Sequence, residues 1–180
     1  MRSPPRWMAC LVGWTLCAVG SAGCGQRPPS NGCGVPGAVV SQGWVHVPEG
    51  SPIEYQHNPP ASGPHYPVWL RYQVYDAALA RGYWVHNLEH GGIVLAHRPD
   101  APAAGIAALQ QAYQDLPDDP ACGHRRALVV PDPALPHAFA IIAADFTLEG
   151  ECVDGPAIQR FVLEHRNHGT EDVCTDGQRP

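Results

Sequence analysis

The chain is 180 residues long and carries 17 acidic residues against 11 basic ones, all arginine, for a net charge of −6 with neutral histidines. This acidic balance argues against nucleic acid as a partner, because a negative surface repels phosphate backbones. The sequence contains no basic amphipathic helix, so we expect nothing besides an N-terminal anchor to hold the protein at a membrane.

Residues 1–23 have the features of a secretory signal peptide of the lipoprotein type. Arg2 and Arg6 precede an apolar run at residues 7–19, which is too short to be a good membrane span and is followed by small residues. Cys24 comes next, in the position of the acylated cysteine of bacterial lipoproteins; ordinary signal cleavage is the alternative. We predict a bacterial cell-envelope protein, anchored by lipid on the periplasmic or outer-membrane side.

Residues 24–37 are rich in Gly, Pro and Ser and predict a flexible tether. Residues 38–176 are long enough for a single globular domain with its own hydrophobic core, and they contain no internal repeat.

Apolar patterns predict the elements that follow the tether. Strand-type runs lie at residues 43–50, 68–76, 92–97, 127–130 and 139–146, and helical spacing at 101–116 and 154–165, the latter capped by Asp154. This order predicts an α+β fold: a mostly antiparallel sheet with two packed helices, a loop-rich N-terminal half and disulfide staples.

Four cysteines remain after the signal peptide and Cys24: Cys33, Cys122, Cys152 and Cys174. An even number in an exported domain indicates two disulfides, and the absence of CxxC spacing argues against a zinc ribbon or thioredoxin chemistry. If the strands near residues 126–130 and 138–146 pair with each other, Cys122 and Cys152 lie at the same end. We therefore predict Cys122–Cys152 and Cys33–Cys174.

The stretch VHNLEHGG, residues 85–92, holds two histidines four residues apart. In a helical turn His86 and His90 share one face with Cβ atoms about 6 Å apart, and two such imidazoles can bind one metal ion. In a strand they would be about 13 Å apart. Gly91 and Gly92 favour the helical turn, since glycine ends helices in the left-handed conformation. Alternatively, the histidines cap carbonyls or pack in a polar core.

A second histidine-bearing segment is HNPPASGPHYP, residues 57–67. Its prolines restrict φ and Gly63 permits a turn, so the loop is stiff and can present His65 in a fixed position. The alternative is a structural loop in which Ser62 and His65 satisfy buried backbone groups.

Together these two motifs resemble an uncharacterised bacterial family of exported or membrane-anchored domains of unknown function. Its members share an N-P-P-(T/S)-S-G-P-H loop followed by H-N-L-E-H-G-G. The resemblance covers residues 45–97 strongly and marks five motif positions: His46, His65, His86, Glu89 and His90. It implies no established activity. His97 departs from the pattern, since an aromatic residue is usual there, and the C-terminal end matches only loosely.

The leading hypothesis is an envelope lipoprotein that binds a transition metal through His65, His86 and His90. His46 is a fourth candidate, and Glu89 is a ligand or a supporting group. Imidazole sites suit Cu(II), Zn or Ni, and the Irving–Williams order favours copper over zinc. The only methionines, Met1 and Met8, belong to the signal peptide, which excludes a Met-rich Cu(I) carrier.

Two alternatives stay open, although a non-catalytic role is favoured. HNLEH fits the HxxEH motif of zinc hydrolases, with Glu89 as general base and Glu164 or Cys152 as a distant ligand. Two glycines directly after the motif weigh against the long helix that such enzymes use. The other alternative is a metal-free, disulfide-stapled interaction module with an unidentified envelope partner and pH-sensitive histidines.

Overall fold

The computed structural model describes residues 33–178 and is built around a five-stranded sheet. The elements in chain order are β1 (Val35–Ala38), β2 (Trp44–His46), β3 (Gly63–His65), α1 (Arg81–Glu89), β4 (Ile93–His97), α2 (Ala103–Gln114), β5 (Ala127–Pro131), β6 (Phe139–Ala143), β7 (Phe146–Gly150) and α3 (Gly155–His165). None of the helices described here has the length and apolar character needed to span a bilayer.

The main sheet has the strand order β1-β7-β6-β4-β5. Neighbouring strands are antiparallel except for β4 and β5, which are parallel and are connected through α2, as a parallel pair requires. The predicted α+β class with a mostly antiparallel, disulfide-linked sheet is confirmed. A third helix, α1, extends the turn predicted at residues 85–90.

Both faces of the sheet are buried, which explains the uninterrupted apolar runs of β4 and β6. On one face Ile93 and Leu95 pack with residues of α2 and α3. On the other, Val94 and Ala96 pack with α1 and with residues of the loop-rich N-terminal half. Helix α1 therefore lies between the sheet and the N-terminal loops.

The predicted disulfide pairing is wrong. The bonds join Cys33 to Cys152 and Cys122 to Cys174. The prediction requires β5 beside β6, but β4 lies between them. Cys152 instead follows β7, whose partner β1 begins just after Cys33. Two disulfides indicate an extracytoplasmic location for the domain.

Three other segments differ from expectation. Residues 33–37, predicted as part of the tether, begin the fold, because β1 pairs with β7 along the edge of the sheet. Residues 1–32, which include the predicted signal peptide and Cys24, lie outside the described residues. The segment 68–76 forms no continuous strand: it has isolated bridge residues at Leu70 and Val74, the latter paired with Val129. The single strand predicted at 139–146 is divided: β6 ends at Ala143, a turn follows at Asp145, where φ is 61°, and β7 begins at Phe146.

Helix α1 ends in a Schellman motif that the two glycines build. Gly91 has φ of 77° and donates to the carbonyl of Leu88, while Gly92 donates to the carbonyl of Asn87. A Cβ at Gly91 would lie 2.8 Å from the Cα of Asn167. The chain therefore needs glycine there both for the backbone conformation and for the close approach of the segment after α3.

Gly91→Ala should lower the free energy of unfolding by at least about 1–2 kcal/mol, the cost of a left-handed residue with a Cβ. The control is Gly155→Ala in the first turn of α3, where a Cβ meets nothing within 4 Å. Urea unfolding followed by circular dichroism measures both. Equal stability of the two variants would contradict the proposed role of Gly91.

Candidate metal centre

Strands β2 and β3 place His46 and His65 side by side. The two strands form a separate parallel pair in which these residues are direct partners. Partners in register project from the same face, and the two imidazole centroids are 4.8 Å apart. His65 is fully buried, whereas the side chain of His46 is half exposed.

Helix α1 supplies three further polar side chains from one face. His86, Glu89 and His90 are spaced i, i+3 and i+4, so they lie together on the last helical turn. All three are buried, with exposures of 6 % or less. A carboxylate such as that of Glu89 is rarely so buried unless it is paired or coordinates a metal.

The Nε2 atoms of three histidines converge on one carboxylate oxygen. Oε2 of Glu89 lies 2.9 Å from His65, 3.7 Å from His46 and 3.9 Å from His86. Two ligands bonded to one ion at about 2.1 Å can be at most about 4.2 Å apart, and these three distances satisfy that limit. His46, His65, His86 and Glu89 could therefore hold a metal ion, which we call the first group.

Backbone carbonyls orient two of the imidazoles. Nδ1 of His65 donates to the carbonyl of Gly63 at 2.9 Å, and Nδ1 of His86 donates to that of Tyr66 at 2.6 Å. A neutral imidazole has only one N–H, so each Nε2 then presents a lone pair to the centre. Metal-binding histidines are commonly held in this way.

The contact between His65 and Glu89 requires a cation. With the proton of His65 on Nδ1, both Nε2 and the facing carboxylate oxygen are acceptors, at a distance of 2.9 Å. Two lone pairs at this distance repel, so either a second ring proton, which makes an ion pair with Glu89, or a metal ion must lie between them. With a metal ion in place of the proton, the same two atoms can serve as its ligands.

Burial keeps the helical histidines neutral. It lowers the pKa of His86 to about 3, and the neighbouring imidazoles act in the same direction, although the bond to the Tyr66 carbonyl opposes them. Burial likewise lowers the pKa of His90, against the opposing effect of Glu171. Neutral imidazole is the form that binds metals, so both side chains are ready to bind at neutral pH.

The other residues of HNLEH hold the site in place. The side chain of Asn87 both accepts from the backbone N–H of Leu70 at 3.0 Å and donates to its carbonyl at 2.8 Å, which fixes the preceding loop against α1. Leu88 is fully buried against the sheet. The indole of Trp69 packs over His86 and His90, with centroid distances of 5.1 and 4.6 Å.

The sequence predicts His90 as a ligand together with His65 and His86, but the first group does not include His90. Its Nε2 lies 3.3 Å from Oε2 of Glu171, and Glu89, His90 and Glu171 form a second group that could hold a metal ion. Sequence reasoning missed Glu171, which stands 81 positions after His90, in the C-terminal stretch HRNHGTED that matches the family pattern only loosely.

The distant ligands named for the hydrolase do not reach the centre. Cys152 is bonded to Cys33. Glu164 is an exposed residue of α3, whose buried face packs on the opposite side of the sheet from α1. The carboxylate beside the HxxEH histidines is instead that of Glu171.

Comparison with known protein families finds a match to a family described as Protein of unknown function (DUF3105), over residues 46–177. The matched range begins at His46 and includes every member of the two groups. No curated protein and no solved structure matches the chain. By this match, the chain belongs to the DUF3105 family of proteins of unknown function.

Proposed function

We propose that the protein binds a transition-metal ion, copper(II) in preference to zinc, at the bacterial cell envelope. The ligands are Nε2 of His46, His65 and His86 together with the carboxylate of Glu89. The observation that carries the proposal is the convergence of three imidazole nitrogens on one buried carboxylate oxygen, Oε2 of Glu89, at 2.9, 3.7 and 3.9 Å.

The donor set supports copper(II) over softer states of the metal. Three imidazoles and a carboxylate suit Cu(II), Zn or Ni, whereas Cu(I) prefers thiolate and thioether ligands. The cysteines of the described domain are in disulfides, and methionine occurs only at Met1 and Met8. Among divalent ions of the first row, such a site binds copper most tightly by the Irving–Williams order.

The burial pattern supports a role in metal handling. Three of the four ligands are buried and His46 is half exposed, so an ion can enter and leave on the side of His46. We propose that lipid at Cys24 anchors the domain to the membrane, with the ion as cargo.

The alternatives have less support. A hydrolytic role would use Glu89 as a base, but its Oε2 lies amid three imidazole nitrogens, which suits a ligand. A metal-free interaction module would leave the histidines dispersed, each bonded to backbone. Here four imidazoles are linked by centroid distances of 4.5 to 4.9 Å.

His46→Ala should weaken copper(II) binding at least tenfold, since even loss of a group that only supports a ligand costs about 10–100-fold. His137→Ala is the matched control. Both side chains are half exposed, 50 % and 49 %, and each lies beside a glutamate. The full chain, exported and purified with both disulfides formed, would be titrated against a competing chelator.

The expected result is unchanged affinity in His137→Ala and weakened binding in His46→Ala, with equal unfolding midpoints of the metal-free variants. Equal copper affinity of the two variants, or a wild type that retains no metal, would contradict the proposal.

Copper should also displace zinc. Protein loaded with zinc and then exposed to an equal amount of copper(II) should retain copper after desalting. The reason is that copper(II) stands at the top of the Irving–Williams affinity order, above zinc. Elemental analysis of the desalted protein gives the ratio. Retention of zinc alone would overturn the preference for copper and leave metal binding itself intact.

A further inference from the structure

The second group, formed by Glu89, His90 and Glu171, lies beside the first. Its ligand atoms are within 4.8 Å of one another, and Nε2 of His90 is 3.1 Å from Nε2 of His86. Glu89 belongs to both groups. A carboxylate has two oxygens, so one glutamate can contribute to two neighbouring ions.

His90 is a buried polar residue whose hydrogen bonding is incomplete. It is 2 % exposed, and its Nδ1 has no hydrogen-bond partner among residues 33–178. Its Nε2 faces Glu171 at 3.3 Å. Because Nδ1 of His86 donates to the Tyr66 carbonyl, Nε2 of His86 accepts, and the hydrogen bond between the two Nε2 atoms places the proton of neutral His90 on its Nε2. That nitrogen faces an imidazole and two carboxylates, where a divalent ion can take the place of the proton.

The position of Glu171 is built by the fold. Its backbone N–H donates to the carbonyl of Glu89 at 3.0 Å, and that of Asn167 donates to Gly91 at 3.0 Å. Arg126 donates to the carbonyl of His90 at 2.7 Å and to Asp172 at 3.0 Å. The segment after α3 is therefore fastened to the end of α1, with the Glu171 carboxylate directed at His90.

The Cys122–Cys174 disulfide closes the same segment three residues later. A Cβ at Gly169 would lie 2.0 Å from the carbonyl oxygen of Glu89, so only glycine allows the backbones to approach this closely. These contacts together hold the backbone at Glu171 in place, although the Glu171 side chain itself is half exposed.

We propose that the centre binds two divalent transition-metal ions, with Glu89 bridging them. The first group holds one ion, and His90 with Glu171 completes the second position. In two-metal sites the ions are about 3.5–4 Å apart, a separation that a bridging carboxylate spans. This inference rests on the proposed metal-binding function and adds a second ion to it.

The two positions differ in chemistry. The first offers three imidazoles and a carboxylate, while the second offers one imidazole and two carboxylates, of which Glu171 is partly open to solvent. The second ion should therefore bind more weakly and exchange more readily than the first. The exposed side of Glu171 is the route by which it reaches the centre.

Glu171→Gln separates the second position from the first, because it removes a charge and a ligand oxygen from a half-exposed side chain outside the first group. The control is Glu151→Gln. That glutamate also contacts a histidine, His137 at 2.8 Å, but on the exposed surface. The full, disulfide-bonded chain would be saturated with copper(II), desalted and analysed for copper per protein.

Wild type and Glu151→Gln should retain about two equivalents and Glu171→Gln about one, as a two-metal site predicts. Electron paramagnetic resonance gives a second readout. Two neighbouring copper(II) ions couple magnetically, so the wild-type signal should be weaker per copper than that of Glu171→Gln. One equivalent in both wild type and Glu171→Gln would overturn the second position and leave the first standing. No copper in any protein would overturn the proposed function with it.

Discussion

The contact between His65 and Glu89 joins the N-terminal layer, formed by β2, β3 and the loops around them, to the end of helix α1. His65 ends strand β3 of the N-terminal layer, and Glu89 ends helix α1. Their side-chain atoms lie 2.9 Å apart in a buried setting. Because the bond of Nδ1 to the Gly63 carbonyl determines which nitrogen faces Glu89, the polarity of the site follows from backbone geometry. A proton or a metal ion between these two atoms ties the N-terminal layer to the helix.

On the other side of α1, Arg126 has a comparable role for the C-terminal segment. It is 4 % exposed and pairs with Asp119 at 2.7 Å. It also binds the carbonyl of His90 and the side chains of Asn167 and Asp172. A buried guanidinium with so many partners is held in one position, and it positions every segment that it contacts. The end of α1 is thereby held by the N-terminal layer through His65 and by the segment after α3 through Arg126.

The elements that local patterns specify could be predicted. Helix α3 and its Asp154 cap appear as expected, with Asp154 accepting from Ala157. The turn at HNLEHGG could also be predicted, because a 3.6-residue period and a terminal glycine are local properties. The helical turn makes His86 and Glu89 candidate ligands, the stiff loop at residues 57–67 makes His65 one, and the structure brings the three together.

Features that depend on strand order or register could not be predicted in the same way. His46 meets His65 because β2 and β3 pair in parallel register, which no spacing along the chain reveals. The disulfide pairing failed because β4 inserts between β5 and β6. Glu171 reaches His90 through Arg126 and a segment after α3, contacts between residues far apart in sequence. Such placements are tertiary, and they decide which polar residues complete the site.

The most direct test is a crystal structure of the copper-loaded protein with anomalous diffraction collected above and below the copper edge. We expect an anomalous peak about 2.0–2.2 Å from Nε2 of His46, His65 and His86 and from the carboxylate of Glu89. A His65–Glu89 hydrogen bond that persists unchanged, with copper absent or bound only at surface histidines, would contradict it.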